Sequence, residues 1–255
     1  MKTKKFDTYL NLLKELTIAD FKLRYNGSII GVLWFIIKPL AMLAVLYVIF
    51  GLVLKVGIDN YVLFLFIGII LWNFFVESTT MSMANILDKR SIIRAIYLPR
   101  HILVMSSSLN AFMSLAINIV LLIIMLLIYG INLTGIALIT LAVLALLFIF
   151  SLGVAYLLAA FYVKYRDVGH IWDVILQLGF WITPVIYNIT LIPQKYIAAY
   201  MLNPLAWAIH AVRELLIYNT LAFSGIFPII GITFGVFIIG YVAYSIRSKY
   251  FAEEL

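Results

Sequence analysis

The chain has 255 residues, of which 65% are hydrophobic and 11% charged, and its mean hydropathy is +1.13. Soluble domains average about half apolar and about a quarter charged residues, so this composition excludes an ordinary soluble protein and predicts an all-α integral membrane protein. The absence of cysteine excludes disulfides, thiolate metal sites and thiol nucleophiles. Because the chain is predicted to enter a membrane, its net charge of +7 is interpreted through the positions of its basic residues.

Residues 1–28 are predicted to form an amphipathic helix at the membrane interface, followed by a hinge. Apolar side chains recur on one helical stripe with polar side chains opposite, which is typical of a helix lying in the membrane surface. The stripe consists of Phe6, Tyr9, Leu10, Leu13 and Leu16. The segment from Thr17 to Asp20 resembles a capping box, which predicts a second short helix ending near Asn26. A solvated helix packed on a partner protein is the alternative interpretation.

Residues 29–255 are predicted to form a transmembrane domain of six helices, because a bilayer core requires about 20 apolar residues of helix. Four runs are long and apolar, and two are shorter or carry polar residues. The six predicted spans are Ile29–Leu54, Tyr61–Leu87, Ile102–Tyr129, Ile136–Val163, Ile171–Tyr187 and Ile226–Ile246. Gly231 and Gly235 in the last span have the spacing that permits close helix packing.

The basic residues predict the orientation of these spans. If the N-terminus is inside, fourteen of the 18 lysines and arginines fall in cytoplasmic segments. The opposite side holds only Lys55, Lys195 and Arg213, and Lys38 lies within the first span. This asymmetry follows the positive-inside rule and predicts that both termini are cytoplasmic.

The cytoplasmic loop Ile86–His101 is basic, yet its apolar residues recur at helical spacing. This pattern predicts a short helix that offers an apolar face to another protein. Packing of the same face against the bilayer is the alternative.

The outer segment Asn188–Gly225 contains stretches that are too short and too polar to span a bilayer. We expect two short helices, roughly Gln194–Leu202 and Leu205–Tyr218, that dip into the membrane from outside. Irregular backbone is tolerated at such depth only where protein buries it or it lines a cavity. The segment is therefore a candidate lid or gate.

The sequence lacks the residue patterns of a membrane enzyme. The three histidines are far apart in sequence, no metal-ligand spacing is present, and no phosphate-binding loop exists, so the chain is not expected to hydrolyse ATP. Two acidic residues, Glu77 and Asp173, fall within predicted spans. Glu77 is either a proton relay or a side chain that reaches the interface.

Aromatic residues make up 15% of the chain. Tyr61, Trp72, Tyr241 and Tyr244 are expected in the aromatic belts at the two membrane interfaces. Aromatic side chains in the first and fifth spans accompany polar residues, which suggests that they face a passage, and core packing is the alternative for each ring. The candidates for lining this passage are Trp34, Phe35, Lys38, Trp172, Gln177, Phe180, Trp181 and Tyr187.

Two motifs together resemble a known family. LRYNGSIIGVLWFIIKPL (Leu23–Leu40) and YVKYRDVGHIWDVILQLGFWITPVIYNITLIP (Tyr162–Pro193), followed by Asn203-Pro204-Leu205 and Arg213, resemble type-2 ABC-transporter permeases of the polysaccharide-export branch. Within that branch the chain is most similar to permeases for O-antigen-type polysaccharide, with teichoic-acid and capsule permeases as near relatives. The resemblance extends over nearly the whole chain.

The resemblance implies a homodimer in the bacterial inner membrane, paired with two copies of a separate ATPase subunit that binds ATP and Mg. This chain would then hold no cofactor of its own. The cargo would be a polysaccharide linked through pyrophosphate to undecaprenol. The implied roles are coupling to the ATPase by Arg90, Ile93, Arg94, Tyr97 and Leu98, contact with the entering lipid pyrophosphate by Lys22, Arg24 and Arg166, and an outer gate formed by Pro193, Asn203, Pro204 and Arg213.

Three alternatives remain open from the sequence. The same transporter class with a teichoic acid, capsule, drug or lipid cargo is the first. A membrane enzyme acting on polyprenyl phosphate is the second. It would need an exposed acidic pair or a basic cluster at one membrane face, and the sequence has the basic residues but not the acidic pair. A secondary transporter driven by protons through Glu77 is the third. Lys38 has two alternative interpretations: it faces the passage, or it takes part in helix packing or reaches the membrane interface.

Overall fold

The computed structural model describes residues 2–25, 31–90, 99–131, 137–220 and 225–251, and within these ranges the secondary structure is helical. The α-helices are α1 (Lys2–Tyr25), α2 (Trp34–Leu46), α3 (Tyr61–Asp88), α4 (His101–Ile128), α5 (Ala137–Tyr162), α6 (Asp167–Ile182), α7 (Gln194–Tyr200), α8 (Pro204–Leu216) and α9 (Ile226–Arg247). A 3₁₀ turn, Gly31–Leu33, precedes α2, and a π-helix, Tyr47–Val53, extends it. Two further 3₁₀ turns are Ile189–Leu191 and Ser248–Tyr250.

Five helical segments of the described chain are long and apolar enough to cross a membrane. They are Gly31–Val53, Tyr61–Asp88, His101–Ile128, Leu138–Tyr162 and Ile226–Tyr250, and each overlaps one of the predicted spans. The remaining predicted span, Ile171–Tyr187, corresponds to α6, whose 16 residues cover only about 24 Å of the roughly 30 Å apolar core.

The centre of the fold is α3. In its most apolar stretch 78% of the residues are buried, against 17% in the segments of α2 and α9. A helix that is hydrophobic on all sides is stable only where other helices surround it. Helices α2, α4, α5 and α8 all pack on α3, and α9 packs on the far side of α5.

The contact between α5 and α9 depends on two glycines. A Cβ atom at Gly240 would lie 2.1 Å from the Gly153 carbonyl oxygen, and one at Gly153 would lie 2.6 Å from the Phe237 Cα. The predicted packing glycines, Gly231 and Gly235, have no atom within 4 Å of a built Cβ. Within the described chain the close backbone approach between helices falls at Gly240 and Gly153 instead.

Replacing Gly240 with leucine is expected to lower the thermal unfolding midpoint of the detergent-solubilised protein. Adding side-chain volume to a close-packed contact costs about 1–3 kcal/mol, and at Gly240 the opposing atoms are backbone. The control is Gly231→Leu, which adds the same side chain on the same helix where space is open. Equal midpoints for the two variants would contradict the packing role of Gly240.

The N-terminal helix is continuous, which corrects the expectation of a restart at Thr17. The Thr17 hydroxyl donates to the Leu13 carbonyl oxygen at 2.8 Å, one turn back within the same helix. The segment Thr17–Asp20 therefore lies inside α1 instead of capping a second helix. Residues 26–30, where the hinge is predicted, lie outside the described residues.

Three of the aromatic residues expected in interfacial belts are buried inside the protein. Tyr61 and Trp72 are 7% exposed, and Tyr244 is 1% exposed. The Tyr61 hydroxyl donates to the Ile186 carbonyl, and the Tyr244 hydroxyl donates to the Arg100 carbonyl, both at 2.9 Å. These phenols satisfy buried backbone groups, so the belt expectation was wrong for them.

The segment before α9 contains the two expected short helices, α7 and α8. Of the 13 residues of α8, all but His210 and Glu214 are buried. Helix α8 packs against α3, α5 and α9. The protein thus covers α8 on nearly every side.

Candidate functional site

A cavity of about 690 Å³ lies between α2, α3, α4 and α6. Six of the eight residues predicted to line a passage border it: Trp34, Phe35, Lys38, Gln177, Phe180 and Trp181. The side chains of Lys38, Gln177 and Trp181 are exposed. The polar wall also includes Asn73, Glu77, Ser114 and Asn118, none of which was predicted to line a passage.

Pro39 lies on the wall of this cavity and changes the hydrogen bonding of α2 there. Proline has no backbone N–H, so Pro39 leaves the carbonyl of the residue four positions earlier, Phe35, without its usual helical donor. The Asn118 side chain of α4 supplies the missing donor, because its Nδ2 lies 3.2 Å from the Phe35 oxygen. Helices α2 and α4 are thereby joined at the proline, beside Lys38.

Asn118 also carries a buried acceptor on the cavity wall. Its Nδ2 donates to the Phe35 and Ser114 carbonyls, while its Oδ1 has no hydrogen-bond partner within the described ranges. Asn118 is 7% exposed. The Oδ1 atom is itself buried, and a buried amide oxygen without a donor costs about 1–3 kcal/mol.

Two predicted passage residues lie outside the cavity. The Trp172 indole Nε1 donates to the Thr79 hydroxyl at 3.0 Å, and its ring packs against Phe75. The Tyr187 hydroxyl donates to the Ile182 carbonyl and lies 2.8 Å from the Tyr200 hydroxyl. These contacts fix the two side chains to neighbouring protein groups.

Of the three basic residues predicted to meet the lipid pyrophosphate, only Arg24 is shown in contact with residues that line the cavity. Its Nη2 is 3.1 Å from Glu77 Oε1 and its Nη1 is 3.2 Å from Oε2. Its guanidinium lies 5.1 Å from the centre of the Phe35 ring, and both Phe35 and Glu77 line the cavity. Lys22 and Arg166 are exposed and do not border it.

An anchor that the sequence analysis missed ties α1 to the ends of α3 and α4. The Lys89 ammonium lies 2.6 Å and 2.7 Å from the two carboxylate oxygens of Asp20. Asp20 Oδ2 also accepts from Asn85 at 3.1 Å and from Ser106 at 3.4 Å. The Asp20 and Lys89 side chains are only 13% and 11% exposed, so this pair is largely desolvated.

Arg213, predicted in the outer gate, is 3% exposed. Its Nε and Nη2 donate to the Phe64 carbonyl at 3.0 and 2.8 Å, and its Nη1 and Nη2 donate to the Pro184 and Val185 carbonyls. A Cβ atom at Gly68 would lie 2.5 Å from Arg213 Nη2, so the guanidinium reaches α3 only past a glycine. Arg213 thus ties α8 to α3 and to the turn after α6.

The other predicted gate residues occupy helix starts. Pro193 precedes the first residue of α7. The Asn203 side chain accepts from the Leu205 backbone N–H at 3.0 Å and caps α8, with Pro204 at the first helical position. These residue types suit those positions, because an amide oxygen satisfies a free N–H and proline lacks one.

The predicted coupling loop is described only in part. Arg90 is exposed directly after Lys89, while Ile93, Arg94, Tyr97 and Leu98 lie outside the described residues. The loop therefore begins at the residue next to the Asp20–Lys89 pair.

A family model described as "ABC-2 type transporter" matches residues 11–217 of the chain. This range contains α2 to α8 and most of α1. It includes every element that borders the cavity.

Three curated proteins named "O-antigen export system permease protein RfbA" are similar to the chain. One from Klebsiella pneumoniae is 30% identical over 246 residues, which cover 96% of this chain and 95% of that protein. A second from the same organism is 29% identical over 215 residues, covering 84% and 83%. The third, from Myxococcus xanthus, is 29% identical over 199 residues, covering 77% and 76%.

Proposed function

This chain belongs to the ABC-2 type transporter family, and we propose that it is the permease of an ATP-driven exporter for undecaprenyl-pyrophosphate-linked polysaccharide of O-antigen type. The family comprises transport permeases that work with an ATPase subunit, which sets aside the membrane-enzyme alternative. The cargo is proposed from the names of three relatives that align with 77% to 96% of the chain.

The proposed assembly contains two copies of this chain and two ATPase subunits that bind ATP and Mg. Each chain contributes six spans, with α6 as the short fifth span and α7 and α8 as re-entrant helices on the outer side. Both termini lie in the cytoplasm of a bacterium, in keeping with the distribution of basic residues. The loop after Arg90 then meets the ATPase, and the α1 end of the cavity faces the cytoplasmic leaflet.

The observation that carries the proposal is the chemistry of the cavity. Trp34 and Trp181 offer flat apolar faces that suit sugar rings, and both are exposed. Asn73 and Gln177 add side-chain amides to the wall of the cavity, and Lys38 adds a positive charge. Polar groups of this kind inside a membrane are expected to face a cavity or a partner chain, because lipid cannot satisfy them.

These features give a mechanism for moving a long glycan. Stacking on aromatic faces and single hydrogen bonds are weak individually, so successive sugar rings can bind and leave without a deep energy minimum. ATP binding and hydrolysis in the partner move the loop after Arg90, and the Asp20–Lys89 pair passes that displacement to α1 beside the cavity. Pro39 lies inside α2 at the cavity wall, where it removes one backbone hydrogen bond of the helix.

Replacing both Trp34 and Trp181 with alanine is expected to lower polysaccharide export about tenfold, which corresponds to ~1.4 kcal/mol of lost contact with the moving glycan. The measurement is surface polysaccharide in a strain whose own permease gene is deleted, normalised to permease in the membrane. Co-purification with the ATPase is expected to be unchanged.

Phe227→Ala is the control, since Phe227 is 83% exposed on α9 and does not border the cavity. Full export by the double tryptophan variant would contradict the role of the cavity in transport.

A further inference from the structure

Arg24, the predicted headgroup-binding cation that contacts the lining of the cavity, forms an ion pair with the Glu77 carboxylate. The two guanidinium nitrogens of Arg24 face the two oxygens of Glu77 at 3.1 and 3.2 Å. Arg24 and Glu77 are 24% and 26% exposed, so solvent and ligands reach both side chains.

This arrangement is the one in which arginine binds phosphate. Two parallel N–H donors match two oxygens of a carboxylate or of a phosphate equally well. The Phe35 ring below the guanidinium keeps its plane in place, with the ring centre 5.1 Å from Arg24 Cζ. The Glu77 carboxylate therefore stands where phosphate oxygens would bind.

The Arg24–Glu77 ion pair is weak enough for a diphosphate to replace Glu77 on Arg24. Partly exposed pairs contribute about 0–1 kcal/mol, because water screens them and both side chains lose freedom. A diphosphate carries more than one negative charge and several acceptor oxygens. Lys38 lies on the same cavity, three residues along α2 from Phe35, and offers a second cation for them.

We infer that Arg24 is the residue that binds the diphosphate headgroup of the lipid-linked cargo, and that Glu77 is an internal competitor that the headgroup displaces. The inference rests on the proposed function for its ligand. Displacement also breaks the ion pair between Arg24 of α1 and Glu77 of α3.

The test measures the binding of undecaprenyl diphosphate to the purified permease in phosphatidylcholine nanodiscs. Glu77→Gln keeps the side-chain size but removes the competing charge, so the affinity is expected to rise up to about fivefold, the equivalent of ~1 kcal/mol. Glu77→Asp keeps the charge but shortens the reach to Arg24, and it too is expected to raise the affinity. Arg24→Gln is expected to lower it at least tenfold.

Two comparisons separate this inference from simpler explanations. Glu214→Gln removes an acidic residue with the same 26% exposure that pairs with His210 on α8, and it is expected to leave the affinity unchanged. Inorganic pyrophosphate, added as a competitor of undecaprenyl diphosphate, distinguishes a site that needs the lipid from one that binds the free anion. We expect pyrophosphate to compete less well than unlabelled undecaprenyl diphosphate does.

Lower or unchanged affinity in both Glu77 variants would overturn the competitor role while leaving the proposed function intact. Unchanged affinity in Arg24→Gln would overturn the assignment of Arg24. Binding of undecaprenyl diphosphate no tighter than that of phosphatidylglycerol in every variant, including the unmodified chain, would overturn the proposed cargo as well. The thermal unfolding midpoint of each variant confirms that the protein tested is folded.

Discussion

Replacing Arg213 with lysine is expected to deplete folded protein from the membrane. The guanidinium donates to the carbonyls of Phe64, Pro184 and Val185 at once. A lysine ammonium keeps the charge but not the planar fork that reaches these oxygens together. Each buried carbonyl left without a donor costs about 1–3 kcal/mol, which is a large part of the 5–15 kcal/mol that holds a typical domain folded.

The effect is measured as the unfolding midpoint and the yield of monodisperse protein after detergent extraction. Arg166→Lys is the matched control, because Arg166 is an exposed arginine that lies over the Tyr162 ring at 5.6 Å. Gly68→Ala tests the same junction independently, since its Cβ would collide with Arg213 Nη2 and with the Val185 oxygen. Normal yield and midpoint for Arg213→Lys would show that the junction does not hold the fold together.

Reversing one charge of the Asp20–Lys89 pair is expected to be nearly as damaging. Asp20→Lys places two ammonium groups together, and Lys89→Asp places two carboxylates together, in a site that is only 11% to 13% exposed. Breaking a buried ion pair costs about 3 kcal/mol or more. Because the pair lies next to the loop after Arg90, export is expected to fall further than the amount of folded permease does.

The double reversal, Asp20→Lys with Lys89→Asp, is expected to recover part of the stability and export. Opposite charges then face each other again, while the hydrogen bonds of Asp20 to Asn85 and Ser106 remain lost. A double-mutant cycle isolates this pairwise energy. Lys14→Asp, an exposed change on the same helix, controls for charge reversal in α1. Strictly additive losses would contradict a direct pairing.

Hydrophobic run lengths predicted five long apolar helices correctly, because a helix that crosses a bilayer is recognised by its apolar length almost alone. The polar and aromatic residues of the first and fifth predicted spans also indicated the cavity, since Lys38 and Gln177 are poorly suited to lipid. The role of Pro39 in freeing the Phe35 carbonyl follows from its covalent structure, but its partner Asn118 is 83 residues away. Local sequence does not identify such a partner.

Long-range pairing explains most of what the sequence did not predict. The resemblance assigned Arg213 to the outer gate, but its hydrogen-bond partners on α3 and after α6 are far from it in sequence. Asp20 resembled part of a capping box, because that motif considers only the next few residues and not Lys89. One available signal was overlooked. Asn110, Ser114 and Asn118 recur every four residues on α4, and polar residues at this spacing on an apolar helix predict a polar face.

The most direct test of the proposed function is ATP-dependent transport in sealed inside-out membrane vesicles. The vesicles contain the permease, its ATPase and lipid-linked polysaccharide in the outer-facing, cytoplasmic leaflet. The measured quantity is the fraction of glycan protected from an added glycosidase. We predict that this fraction rises with ATP and stays at its starting value when the ATPase cannot hydrolyse ATP. An equal rise in vesicles without the permease, or no rise with ATP in its presence, would contradict the proposal.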